Sequence, residues 1–156
     1  ALGTLKEQDD YEPDIVLHLR PTTPLKTPQT IDKVIEKMRE TKADIVRTMT
    51  PVEGVNHPYW MYTLFENGKT EPFIKDIKVN QYYQSQLLPP ANRISCVADA
   101  MKASLIHEGV FFDSNNMIGV VTSSEESIDI DTEFDFILAE TLLLLREAEK
   151  NKKLSI

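Results

Sequence analysis

The sequence predicts an α/β fold in which an open, mostly parallel sheet carries flanking helices. Residues 14–19, read DIVLHL, form a short apolar run that is typical of a buried strand. Thr27 and Pro28 then supply a helix cap and a proline at the first helical position, and apolar residues recur at helical spacing after them. A second apolar run at 43–48 would complete a strand–helix–strand crossover, which is almost always right-handed.

The middle of the chain predicts an excursion from this sheet. Residues 56–104 are rich in tyrosine, tryptophan and phenylalanine and show little helical period. Asn67 and Gly68 lie between two strand-like runs, which is a strong signal for a β-hairpin. Because a hairpin has no core of its own, its aromatic surface must lie against the sheet domain or against another subunit. The second option is favoured, so the segment is predicted to be a dimerisation arm of a homodimer.

The sheet pattern returns in the last third of the chain. Residues 117–122 predict a strand, and residues 127–131 predict a short strand with alternating polarity. A final helix begins at Thr132, and its apolar positions are numerous enough to predict packing on more than one side. The predicted organisation is a first α/β part at 1–55, an arm at 56–104 and a returning α/β part at 105–156.

Composition limits the class of partner and the compartment. The net charge is -8 and the sequence pI is about 4.9, which argues against a nucleic-acid partner. The single cysteine, Cys96, excludes an intrachain disulfide and fits a reducing compartment. No stretch approaches the ~20 apolar residues of a membrane span, and the first residues lack a signal-peptide pattern. We therefore expect a soluble cytoplasmic protein with no membrane contact.

The clearest candidate site is a pair of aspartates. Alternation in a strand would place Asp129 and Asp131 on one face, with their backbones about 6.6 Å apart. Two such carboxylates can share a Mg²⁺ ion, which prefers one or two carboxylates, several waters and substrate phosphate oxygens. The alternative is that Asp131 caps the last helix while Asp129 is solvated, and spacing alone does not choose between the two.

A second candidate site is the segment LRPTTPLK at 19–26. It follows the carboxyl end of the first predicted strand, where open α/β sheets bind ligands, and it offers two hydroxyl groups and two cations for an anion. The alternative is a rigid turn that ends in the cap at Thr27. Arg93 suits bidentate binding of a carboxylate or phosphate, although surface solvation or a structural ion pair is the more common explanation of a lone arginine. For His57 a structural role is favoured, and His18, which lies within an apolar strand run, is interpreted as a satisfied core histidine.

Four segments, taken in this order, resemble the acylneuraminate cytidylyltransferases, also called CMP-sialic acid synthetases. They are LRPTTPLK at 19–26, HPYWM at 57–61, LPPANR at 88–93, and SIDIDTE at 127–133 with the helix that follows. The resemblance covers nearly the whole chain. Its most specific part is the last motif.

The resemblance implies a fold like that of the nucleotide-diphospho-sugar transferases, with the arm exchanged between two subunits. It also implies transfer of CMP from CTP to an acidic nine-carbon sugar, a sialic acid or a related nonulosonic acid, with release of pyrophosphate. In that reading Asp129 and Asp131 bind Mg²⁺ and act as the catalytic pair. The substrate-binding residues would be Arg20, Thr22 and Thr23, near the nucleotide or the sugar, and Arg93, at the acidic acceptor.

Three departures from the family pattern qualify these expectations. Arg20 stands where the family often has glutamine, and residues 94–99, ISCVAD, replace the usual Asn-Gly-Ala type of strand. The loop rich in arginine, glycine, serine and lysine that cradles the triphosphate in that family has no counterpart in 1–156. We therefore expect this chain alone to be inactive or nearly so. The alternatives are a non-catalytic dimerisation or sugar-binding module, and a transferase for another nonulosonic or eight-carbon sugar acid.

Overall fold

The structure is a computed structural model that describes residues 2–112 and 114–153. Its helices are α1 (Leu2–Asp9), α2 (Pro28–Thr41), α3 (Ala103–His107) and α4 (Glu133–Lys153). Its strands are β1 (Ile15–His18), β2 (Ile45–Pro51), β3 (Tyr62–Leu64), β4 (Thr70–Pro72), β5 (Asn92–Lys102) and β6 (Met117–Val121). The α/β class is therefore confirmed.

The main sheet has four strands in the order β1-β5-β2-β6. β1 pairs antiparallel with β5, and β2 pairs parallel with β6. The sheet is thus mixed and mostly antiparallel, where the sequence predicted an open, mostly parallel one. The reason is β5, which returns from the middle segment and enters between β1 and β2, so that these two strands are not neighbours as the crossover prediction required.

One face of this sheet builds the core with α2. Apolar side chains of β2 and β5 pack there against Val34 and Met38 of the helix, with Leu17 of β1 partly buried beside them. The helix begins as predicted, because the Thr27 hydroxyl accepts a hydrogen bond from the Thr30 N–H and Pro28 occupies the first helical position. Lys42 closes it in the left-handed conformation, with φ of 53°.

Contacts divide the chain into two compact units. The first consists of Ala1–Met49 and Ile94–Ile156, and the second is Thr50–Arg93. Within the second unit, β3 and β4 pair antiparallel as a hairpin, which confirms the Asn67–Gly68 signal. Gly68 has φ of +78°, a backbone conformation that residues other than glycine rarely adopt.

Helix α4 differs from its prediction in what it buries. Ala139 is 4% exposed, but seven large apolar side chains of this helix are more than a third exposed. They are Phe134, Phe136, Ile137, Leu138, Leu143, Leu144 and Leu145. The helix exists where the apolar spacing placed it, yet within the described chain it does not pack on several sides.

None of the described helices combines the length and the apolar character that a membrane crossing requires.

Candidate functional site

The loop 20–26 leaves the carboxyl end of β1 and is held by its own polar groups. The Thr23 hydroxyl lies 3.1 Å from the carbonyl oxygen of Arg20 and 3.3 Å from that of Cys96, and it donates to them. The Lys26 ammonium donates to the same Arg20 carbonyl at 2.6 Å. Burial lowers the pKa of Lys26. Thr23 is 0% exposed, so its hydroxyl holds the loop in shape, while the half-buried side chain of Arg20 remains partly open to solvent.

The segment 123–131 comes back to this loop. It consists of a turn and an irregular stretch, so the predicted strand at 127–131 does not form. The physical reason is that the Ile130 N–H donates to the Thr22 carbonyl at 2.8 Å and no ladder with a neighbouring strand develops. This hydrogen bond nevertheless joins the two segments that the sequence singled out. The exposed Thr22 side chain lies at the junction.

The two candidate metal ligands have different environments. Asp129 is half-buried, and its Oδ1 atom is buried with no hydrogen-bond donor reaching it from the described residues. Buried carboxylate oxygens are rarely left without a partner, so this atom is a position that an ion or a water can complete. Asp131 is exposed. The side chain of Asp129 therefore has a free ligand position on its buried side, and that of Asp131 has one toward solvent.

Asp131 is not the cap of the last helix, which was the alternative reading of the motif. The Asp135 carboxylate accepts hydrogen bonds from the Thr132 hydroxyl at 2.7 Å and from its N–H at 2.9 Å. The Asp135 N–H donates to the Thr132 hydroxyl at 3.3 Å, which completes a reciprocal capping arrangement. The hydrogen bonds that Asp135 accepts lower its pKa, and the one from the Thr132 hydroxyl contributes most. The helix start is thus satisfied by other residues than Asp131.

A buried glutamate that the sequence reasoning missed anchors the segment 123–131. Glu126 is 8% exposed, and its carboxylate lies at the start of α2. It accepts from the Thr27 hydroxyl at 2.6 Å, from the Thr27 N–H at 3.1 Å and from the Thr30 hydroxyl at 2.9 and 3.0 Å. A glutamate beside a motif of acidic residues looks like a solvated side chain in a sequence, and its partners lie 96 to 99 residues away.

Cys96 lies on the β5 side of the same region. Its φ of 58° is left-handed, which is rare for a residue within a strand and marks a local irregularity of β5. Burial raises the pKa of the thiol; the Asp99 and Asp129 charges act in the same direction, while Arg20 and Arg47 oppose them. Charged residues of loop 20–26, of the segment 123–131 and of the sheet therefore all act on the pKa of the Cys96 thiol.

A buried ion pair crosses the sheet in this region. Arg47 of β2 binds Asp99 of β5 in a two-pronged manner, at 3.1 Å through Nε and 3.2 Å through Nη2. Their side chains are 9% and 1% exposed. The ring of Phe112 lies 5.0 Å from the guanidinium carbon of Arg47 and meets His18 edge-on. His18 is exposed, so its interpretation as a core histidine is wrong: the fourth residue of β1 turns its ring to the surface, where it contacts Phe112.

The remaining candidates lie in the second unit. Arg93 is exposed and is the second residue of β5. His57 is 1% exposed: its Nδ1 accepts from the Tyr59 N–H at 3.1 Å, and its Nε2 lies 3.0 Å from the Pro89 carbonyl. These two bonds fix the neutral tautomer with the proton on Nε2, which is the structural role expected. A cleft of about 770 Å³ is lined in this unit by residues 51–55 and 88–92, with Ser85 and Gln86.

The donor set of the first unit suits a hard cation with few protein ligands. Within 2–112 and 114–153, no three histidine, cysteine, aspartate or glutamate side chains come together as a metal-binding group. That excludes a closed cage of protein ligands in these residues. It does not conflict with Mg²⁺, which keeps several waters and takes one or two carboxylates with substrate phosphates. The unpaired Oδ1 of Asp129 fits such an ion.

Comparison with known proteins adds one relative and no family model. None of the family models searched matches the chain. The chain is 29% identical, over 144 residues and 90% of its length, to the CMP-N,N'-diacetyllegionaminic acid synthase of Legionella pneumophila subsp. pneumophila. It spans 59% of the length of that protein. This likeness agrees with the resemblance to the sialic acid cytidylyltransferases that the four motifs carry.

Proposed function

We propose that this chain carries the metal- and substrate-binding residues of a cytidylyltransferase that transfers CMP from CTP to a nonulosonic acid, with release of pyrophosphate. The observation that carries the proposal is the unpaired, buried Oδ1 of Asp129 beside loop 20–26, since the Ile130 N–H bonds to Thr22. The named activity of the Legionella relative supports the same reaction class. We also propose that the four-stranded sheet is part of a nucleotide-diphospho-sugar transferase-like fold.

In this proposal the loop and the segment 123–131 divide the work. The half-buried Arg20 and the exposed Thr22 approach the phosphates or the acceptor, because their side chains remain at the surface of the site. Thr23 supports them by holding the loop through its hydroxyl, and in the family reading it also approaches the substrate. Asp129 and Asp131 would be the protein ligands of the cation. The chain's part is to position the groups that react.

The cation would be Mg²⁺. When bound, Mg²⁺ neutralises charge on the triphosphate and makes its α-phosphorus easier to attack. The protein's carboxylates favour that ion because they present hard oxygen ligands. Their own negative charge disfavours a bare triphosphate at the same place, so we expect CTP and the ion to bind together.

The proposal also includes a binding site for the acceptor sugar and an interface between two subunits. Arg93 is assigned to the carboxylate of the acidic sugar, since a guanidinium matches a carboxylate with two parallel hydrogen bonds. The segment 56–104 is assigned to the homodimer interface. Its exposed Leu64, Phe65, Phe73 and Tyr83 supply apolar surface for such a contact.

The first test is metal binding. We expect Asp129→Asn to weaken binding of Mn²⁺, used as a spectroscopic substitute for Mg²⁺, at least about tenfold in the presence of CTP, because one charged ligand is lost. Binding is measured by electron paramagnetic resonance of free Mn²⁺. The matched control is Asp32→Asn, an exposed aspartate on α2, which should bind as the unchanged chain does. Equal affinity in Asp129→Asn, or no CTP-dependent Mn²⁺ binding in the unchanged chain, would refute the proposal.

The activity of the chain by itself is a separate question. The backbone amides and lysine of a phosphate-cradling loop balance triphosphate charge, and residues 1–156 contain no such glycine-rich motif. We therefore expect little or no pyrophosphate release from CTP and a sialic acid by this polypeptide alone. Steady release would contradict that expectation while leaving the reaction class intact.

A second candidate function is that of a non-catalytic dimerisation or sugar-binding module. Under this alternative a nonulosonic acid binds without CTP and without a divalent ion. Isothermal titration of the chain with the sugar acid, with and without CTP and Mg²⁺, separates the two. Binding that does not change when nucleotide and metal are omitted would favour the module.

A further inference from the structure

The buried carboxylate of Glu126 joins two parts of the first unit that are far apart in the sequence, the segment 123–131 and the start of α2. It receives hydrogen bonds from both hydroxyls at the α2 N-terminus, those of Thr27 and Thr30, and from the Thr27 N–H. The negative carboxylate lies where the helix dipole favours negative charge. The Glu126 N–H is held in turn by the Ser123 hydroxyl at 3.2 Å, so both its side chain and its backbone are fixed.

The position of Asp129 depends on this anchor and on one more. Three residues before Asp129, Glu126 fastens the segment 123–131 to α2; one residue after it, the Ile130 N–H fastens the segment to Thr22 at 2.8 Å. No strand ladder supports the stretch 128–130, which is irregular. Asp129 therefore lies between these two contacts, in the segment 126–130, which we call the bridge.

We propose that Glu126 is a positioning residue for Asp129: its hydrogen bonds to Thr27 and Thr30 hold the bridge against loop 20–26 and keep the Asp129 carboxylate in its buried, ligand-ready place. The inference rests on the proposed function in taking Asp129 as a cation ligand. It assigns Glu126 no contact with substrate. The buried glutamate acts only through the backbone between residues 126 and 130.

Glu126→Ala removes the anchor, and Glu126→Gln retains an oxygen acceptor for Thr27. We expect hydrogen exchange at the Ile130 amide to become at least about tenfold faster in Glu126→Ala and to change by much less in Glu126→Gln. The reason is that unpaired buried donors destabilise the closed state, which raises the equilibrium constant for local opening by a factor of about ten or more. The amide of Ala98, which donates to the Thr48 hydroxyl in the sheet, reports global stability in the same experiment.

Two further variants make the comparison specific. Glu125→Gln alters the neighbouring glutamate, which binds Arg146 at 3.1 Å at the surface, and should leave Ile130 exchange unchanged. Thr30→Val removes one donor to Glu126 with nearly the same shape, leaves the Thr27 cap in place, and should accelerate Ile130 exchange in the same direction. It also provides the test if Glu126→Ala does not fold.

The readouts separate this inference from the proposed function. If exchange at the Ile130 and Ala98 amides becomes faster by the same factor, Glu126 only stabilises the fold as a whole. That result would overturn the inference. Selective acceleration at Ile130, with Mn²⁺ affinity falling at least about fivefold in Glu126→Ala and restored in Glu126→Gln, supports it. If Mn²⁺ fails to bind even the unchanged chain, the proposed function fails, while the exchange data still decide whether Glu126 positions the bridge.

Discussion

Aspartates that are close in the sequence have different surroundings in the structure. Asp129 has one buried oxygen without a donor, Asp131 is exposed, and Asp135 accepts three hydrogen bonds at the start of α4. The hydrogen bonds to Asp135 satisfy donors that a helix start leaves open. The surroundings, and not the residue type, therefore separate a candidate ligand from a helix cap.

A pH dependence follows for Asp135. Its pKa is lowered below the ordinary aspartate value, chiefly by the Thr132 hydroxyl, so the charged form is favoured in the folded state. Its contribution to stability is fully present above the unfolded pKa of about 3.9 and is lost as pH falls through the lowered folded pKa. We expect Asp135→Asn to be less stable than the unchanged chain at pH 7 and the difference to shrink below about pH 4. Thermal unfolding from pH 7 to pH 3 measures it.

The matched variant for this prediction is Thr132→Ala. It removes the hydroxyl that lowers the Asp135 pKa most, so the carboxyl should titrate closer to the ordinary aspartate value in an NMR pH titration. A titration of Asp135 in the unchanged chain at or above the ordinary value would contradict the prediction.

At the level of single residues, the sequence predicted what a local motif can carry. Asp129 and Asp131 were singled out by their spacing and by resemblance to a family motif, and the structure brings their segment to the predicted loop. Glu126 was missed because its three donors come from Thr27 and Thr30, about a hundred residues earlier in the chain. No local pattern distinguishes a glutamate that caps a distant helix from one that is solvated.

At the level of elements, local signals sufficed for β1, α2 and β6. Each has an apolar run or a helical period, and β1 and α2 are also bounded by proline or a capping threonine. The longest strand, β5, was not predicted. Without it, β1 and β2 were expected to be parallel neighbours, so a mostly parallel sheet was predicted. Asp99 interrupts the apolar run of β5, and its partner Arg47 lies 52 residues earlier in the chain. The burial of that aspartate is a property of the pair, which periodicity cannot show.

The Arg47–Asp99 pair gives a prediction about the pairing of β2 with β5. Asp99→Ala should destabilise the chain by about 3–5 kcal/mol, because a guanidinium stays buried without its carboxylate. Replacing both residues, with Arg47→Met and Asp99→Leu, should cost much less, since the desolvation of two charges is then avoided. Urea unfolding at constant pH measures the free energy of unfolding.

The double variant is also the control for this prediction. If it is as unstable as Asp99→Ala, the loss arises from packing around Phe112 and not from the unpaired charge. An exposed pair serves as a second reference: Lys37 binds Glu40 at 3.0 Å on α2, and Glu40→Ala should change the free energy of unfolding by less than about 1 kcal/mol.

At the level of the whole molecule, α4 has apolar side chains on more of its surface than the described chain covers. The least exposed side is narrow and runs along Asp135, Ala139, Leu142 and Arg146, of which only Ala139 is buried and the others are half-buried. Arg146 fastens this side to the Leu25 carbonyl at 3.0 Å. At about 100° per residue the exposed apolar positions spread over roughly 220° of the helix. The helical period in the sequence predicted the helix correctly, but periodicity does not determine what covers each face.

Exposed apolar surface of this extent should make the isolated chain self-associate. Ile137 and Leu144 form one stripe, at 53% and 60% exposure. Burying a large apolar side chain fully contributes about 1.5–3 kcal/mol, so Ile137→Lys with Leu144→Lys should weaken association at least about tenfold. Sedimentation velocity over a range of concentrations measures it. The variant Phe73→Ser, in the arm that is assigned to the homodimer interface and with a side chain 66% exposed, tests that interface separately. A chain that stays monomeric, or association that only Phe73→Ser weakens, would contradict the prediction for α4.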